Sequence, residues 1–226
     1  MVQIATERVF VLRDVRVFYR KKGAMKFVSH LDMNRFMTRL VNKAKIPIWF
    51  TEGFNQHAYF NFAVPLSLGF EGQYEILDLR IIDPKYSNEQ LVADLNKASI
   101  PDIEFVSAKE PVAKMKEIAF AEFKINFEDS GSVADNLNSF LNSGSIKVLK
   151  KSKKGIIKEL ELADKIARFE ISATGNTQLK IVLTAGTDNV NPQLLLSAFE
   201  DFLGKNLPEY SITRTMLYTE NLEEFC

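Results

Sequence analysis

Residues 26–73, KFVSHLDMNRFMTRLVNKAKIPIWFTEGFNQHAYFNFAVPLSLGFEGQ, decide how this chain folds. Ser29, followed three residues later by Asp32, is a helix-start signature. The hydroxyl accepts an otherwise unpartnered backbone N–H, and the carboxylate sits in the positive first turn. Met33, Phe36, Met37, Leu40, Val41 and Ala44 then recur at helical spacing and predict a helix over 30–45 with one buried face. After Pro47, the apolar run IWF reads as a strand near 48–51. The polar turn TEGFNQH and an alternating strand over 58–64 follow. The loop PLSLGFEG, with a proline and two glycines, closes the unit.

Working outward, DVRVFYR alternates, with Val15, Val17 and Tyr19 on one side and Arg16, Phe18 and Arg20 on the other. The run VFVL at 9–12 reads as an extra edge strand. Residues 74–82 form a strand with Leu77, Leu79 and Ile81 inward and Asp78 and Arg80 outward. Ser87 with Gln90 opens a helix through Leu91, Val92 and Leu95, and IEFVSA from Ile103 is a strand. That order, β-α-β-β-α-β, is the ferredoxin-like unit.

Past a linker at 111–117 the order repeats. A strand over 119–127 points Ala121, Phe123, Ile125 and Phe127 inward. A helix capped by Ser132 carries Val133, Leu137, Phe140 and Leu141, and a strand follows at 146–149. A hairpin of 167–173 and 178–183 turns at Thr174-Gly175-Asn176. Asn191 and Pro192 start a helix, Gly204 stops it, and 210–218 is the last strand. Residues 150–165 are an insertion with no counterpart in the first half. The expected fold is therefore α+β, two tandem ferredoxin-like (βαββαβ) domains. The first, 1–112, carries the SHLD and GFNQH motifs; the second, 113–226, carries the Lys-rich insertion.

Composition narrows the function classes. Twenty-nine Lys and Arg balance 29 Asp and Glu, so nucleic-acid binding has to rest on local patches, not on a global field. Cys226 is the only cysteine, which excludes an internal disulfide framework and fits a reducing compartment. Glu7, Arg8, Arg13 and Asp14 interrupt the N-terminal stretch, so it is neither a signal core nor a membrane span. The expected location is the cytoplasm.

Several residues could carry chemistry or binding. His30 opens the first helix and His57 ends the polar turn; two imidazoles within hydrogen-bond reach can supply the base and acid that cleave RNA at a 2′-hydroxyl. The competing reading leaves His30 on the surface and has His57 bond the turn backbone. The same histidines with Asp32 or Glu75 offer metal-ligand types without metal-ligand spacing, so no metal or other cofactor is expected. Arg16, Phe18 and Arg20, with Lys22 and Lys26 after them and Asn55 and Gln56 in the turn, have the composition of an RNA-binding surface. Bases stack on exposed aromatics at about 1–3 kcal/mol each. Alternatively, the second domain covers Phe18. Lys147, Lys150, Lys151, Lys153, Lys154 and Lys158 form a run with no acid between them, fit either for phosphates or for solvent. Phe54 and Phe70 are either exposed anchors or core closers.

The blocks KFVSHLDMNRFMTRLV, EGFNQHAYFNFAVPLSLGFEGQYEILDL and SITRTMLY resemble a domain of unknown function found at the C-terminus of certain radical SAM proteins and also as a stand-alone chain. The resemblance runs from about Val15 to Tyr218. It implies association with a radical SAM enzyme in an RNA- or translation-related setting. It does not imply radical chemistry here, because a SAM-binding cluster needs three cysteine ligands. The tandem layout is also similar to that of proteins that process CRISPR RNA, whose glycine-rich C-terminal motif is missing from this chain. The expected function is an accessory module without chemistry of its own that binds RNA or docks to a radical SAM partner. The alternatives are a metal-independent endoribonuclease using His30 and His57, and a pure protein-interaction scaffold. No membrane partner is expected. The leading expectation needs the SHLD helix start and the GFNQH turn to share one rim of the first half.

Overall fold

The computed structural model describes residues 12–129, 132–151 and 157–226. The suggested edge strand at 9–12 lies outside them except for Leu12. Contacts divide the chain into two units. One gathers residues up to Pro65 together with Glu75–Val112; the other gathers Leu66–Tyr74 with Ala113–Cys226.

The first unit is built from β1 (Arg13–Lys21), α1 (His30–Lys43), β2 (Phe60–Phe62), β3 (Glu71–Ile81, of which Glu71–Tyr74 belong to the second unit), α2 (Asn88–Ala98) and β4 (Ile103–Lys109). Its strands lie in the order β4-β1-β3-β2, the arrangement a ferredoxin-like unit requires. β4 runs antiparallel to β1 and β2 antiparallel to β3. Met33, Met37, Leu40 and Val41 of α1 and Leu91 and Leu95 of α2 pack on Val15, Val17, Tyr19, Leu77, Leu79 and Ile81. Each such side chain taken from water stabilises the unit by roughly 1.5–3 kcal/mol.

The second unit repeats the plan with β5 (Phe120–Phe127), α3 (Ala134–Leu141), β6 (Lys147–Lys151), β7 (Ile157–Glu161), β8 (Ile166–Ser172), β9 (Gln178–Thr184), α4 (Pro192–Leu203) and β10 (Tyr210–Tyr218). Its main strands lie in the order β10-β5-β9-β8, again the ferredoxin-like order, and β6 and β7 form a separate two-stranded sheet. Phe123, Ile125 and Phe127 alternate inward as the pattern predicts, with Leu179, Ile181 and Leu183 beside them. On α3 and α4, Phe140 meets Phe199 with ring centroids 5.1 Å apart.

The elements depart from the sequence reading at a few places. The strand near 48–51 reduces to isolated bridges, Ile48 to Ile81 and Phe50 to Ala58. β3 starts at Glu71, inside the expected loop, because Glu71 and Gly72 pair in parallel with Thr213 and Arg214 of β10. Ser132 does not cap α3: the cap position is Val133, no side chain bonds the first turn, and the Val133 N–H donates to Asp129 Oδ2 at 2.9 Å. The insertion contains β7, whose Glu159 and Glu161 pair across from Leu149 and Lys147.

Candidate functional site

The start of α1 is set by Ser29, whose Oγ accepts the Asp32 N–H and donates to the Asp32 carboxylate at 2.7 Å. That bond first, and the Arg35 guanidinium second, hold Asp32 below the usual carboxylate range. His30 follows, exposed, with its ring edge-on to Phe62 at 5.1 Å. This contact ties the helix start to the strand that leaves the polar turn. Beside it, Phe27 and Leu31 are exposed, and the Lys26 ammonium lies 5.3 Å from the Phe27 ring. Lys22 is exposed as well.

The turn is closed by the Thr51 N–H, which donates to the His57 carbonyl at 2.8 Å. Nδ1 of His57 lies 3.1 Å from the Asn55 carbonyl and 3.1 Å from Thr51 Oγ1. A carbonyl can only accept, so Nδ1 is the donor in the contact with Asn55. Gly53, at φ 109°, occupies backbone space that an L side chain rarely enters, and it lifts Phe54 fully into solvent with Asn55 and Gln56. Phe70, the other aromatic weighed as an anchor, is buried. His30 and His57 do not hydrogen-bond each other; one packs on a ring and the other locks a turn.

Not every residue expected on a binding surface is there. Arg16 is 0% exposed and gripped bidentately by Asp78, Nε to Oδ1 and Nη2 to Oδ2 both at 2.8 Å. Phe18 is 4% exposed and lies under the Lys109 ammonium, 4.9 Å from the ring centroid. Both leave the proposed surface, because β1 is covered on both faces and not one. Arg20 remains exposed, bonded to Glu104 at 3.1 Å. Lys150 and Lys151 lie on β6 in register with Lys158 and Ile157. Lys153 and Lys154 lie outside the described residues. Lys147 pairs with Glu159 at 2.8 Å, so an acid absent from the linear run meets it in space.

One feature of the first unit escaped the sequence reading. The Arg80 guanidinium lies over both Trp49, at 5.1 Å, and Tyr59, at 4.7 Å, and is held by Asp14 at 2.6 Å. Its only signal was the hairpin register that sets Trp49 beside Tyr59. Among the described residues, no group of three or more His, Cys, Asp or Glu could hold a metal ion. Nor is any helix among them long and apolar enough to cross a membrane.

Comparison with known proteins bears on fold and family. A chain in the crystal structure of a Cbf5-Nop10-Gar1 complex superposes with a TM-score of 0.52 over 91% of this chain and 50% of that one, at 11% identity. The present chain thus spans about half the length of that relative, and the likeness is one of fold alone. An unknown protein from Galdieria sulphuraria matches over 90% of this chain and 98% of its own at 11% identity, with a TM-score of 0.27, too low to carry an argument. No curated protein matches in sequence. The model of a family described as an uncharacterized protein conserved in bacteria, DUF2344, matches residues 14–192.

Proposed function

The chain belongs to the DUF2344 family, and we propose that it is an RNA-binding accessory module that works beside a radical SAM protein and performs no chemistry of its own. The observation that carries the RNA part is Phe54, fully exposed at the tip of a turn braced by His57 and flanked by Asn55 and Gln56. An aromatic ring held in water gains on stacking with an unpaired base, and neighbouring amides can both donate to and accept from base edges. Lys22 and Lys26, near the start of α1, supply cations for phosphates. The radical SAM partner rests on the resemblance of the SHLD and GFNQH blocks alone.

The ribonuclease alternative draws no support from these contacts, since the imidazoles that would serve as base and acid have separate packing roles. Fluorescence anisotropy with short single-stranded RNA tests the proposal. Phe54→Ala should weaken binding roughly 5- to 150-fold, the equivalent of losing one stacked base, without lowering the melting temperature. Equal affinity in the variant, or no binding by the wild type at low salt, would remove RNA from the account.

A further inference from the structure

The second unit holds a cluster of charges that the surface around Phe54 does not use. Glu122 of β5 has a side chain only 5% exposed. Its Oε1 accepts the Thr215 hydroxyl at 2.7 Å and its Oε2 the Tyr218 hydroxyl at 3.1 Å. Two cations approach the same carboxylate at longer range, Lys180 at 3.4 Å and Arg168 at 3.5 Å. Charge-assisted bonds of full strength are nearer 2.7–2.9 Å, so the hydroxyls, and not the cations, satisfy Glu122.

Arg168 is steadied instead by Tyr218, donating from Nη2 to the phenol oxygen at 2.9 Å and lying 5.1 Å from the ring centroid. Among the described residues its Nε and Nη1 have no hydrogen-bond partner. The side chains of Arg168 and Lys180 are 52% and 50% exposed, and both line a cavity of about 330 Å³. Phe169, Val182 and two carboxylates, Glu170 and the hydroxyl-bonded Glu122, complete the lining. Glu170 sits opposite Lys180 in the strand register, yet it makes no ion pair among the described residues.

We propose that this cavity binds a phosphorylated sugar unit, its phosphate on Arg168 and Lys180 and its hydroxyls donating to Glu170. Two cations suit a doubly charged phosphate, and the Arg fork matches its oxygens. Glu170 would repel a bare phosphate in the same space, whereas an ester carrying hydroxyl donors turns that carboxylate into a partner. A free sugar phosphate and a nucleotide within RNA present the same chemistry.

The experiment is calorimetric titration of the full chain with ribose 5-phosphate, inorganic phosphate and ribose. Ribose 5-phosphate should bind most tightly and ribose not at all. Arg168→Met and Lys180→Met should each weaken ribose 5-phosphate about tenfold or more, as loss of a charged contact does, with melting temperatures unchanged. Glu170→Gln should tighten inorganic phosphate and erase its disadvantage. Absence of ribose 5-phosphate binding at millimolar concentration, or wild-type affinity in both cation variants, overturns the proposal. Displacement of ribose 5-phosphate by short single-stranded RNA identifies the RNA backbone as the source, and failure to displace it identifies a free sugar phosphate. Phe54→Ala should leave this binding intact, so the outcome is separable from that of the Phe54 surface.

Discussion

Arg16 occupies a strand position that alternation alone would turn toward solvent, and it is fully buried. A buried guanidinium is tolerable only with a carboxylate in place, and Asp78, 62 residues away and 13% exposed, supplies it through two bonds. Replacing the cation strands the carboxylate. Arg16→Met should cost roughly 3–5 kcal/mol, read by urea denaturation, and the double variant Arg16→Met, Asp78→Leu should recover much of that loss. Wild-type stability in the single variant would mean the pair contributes little. Phe54 and Phe70 make the same point from the other side. Both follow a glycine in a loop, yet one is fully exposed and the other buried. Neighbouring residues do not say which; what packs above them does.

Helix starts were the most legible elements. Ser29, Ser87 and Asn191 each accept an N–H from their own first turn, so a window of a few residues contains the whole interaction. The start of α3 is less legible, because the Asp129 carboxylate before it also accepts from the N–H and hydroxyl of Thr177 across the unit, and no local pattern announces that partner. Asn191 additionally reaches Ser67, but its capping bond to the Gln193 N–H at 3.0 Å is local. Asn191→Ala should therefore lower stability by about 1 kcal/mol, measured by thermal or urea unfolding. A neutral result would show that Pro192 and the buried face of α4 start the helix unaided. β7 lies in the expected insertion, and its lysine and glutamates carry no alternating apolar stripe. It is a strand because β6 pairs with it residue by residue.

At the scale of the chain, each unit adopts the ferredoxin-like strand order, and the formal net charge is zero. With no global field, RNA affinity should depend only weakly on salt. Two phosphate contacts through Lys22 and Lys26 imply a slope of log K against log salt of roughly −1 to −2 for a single strand. A measured slope steeper than about −4 would move the binding surface to the lysine insertion.

What the amino-acid sequence determined by itself was the set of elements and their βαββαβ order, used twice. Periodicity, caps and turn residues act over a few positions, and those positions are written side by side. Which side chains those elements leave in water is set by long-range packing. Burial of Arg16 and Phe18, exposure of Phe54, and the meeting of Arg168 and Lys180 at Glu122 all depend on residues distant in the chain. Strand alternation divides residues between two faces, but it carries no information about which of those faces a second layer will cover.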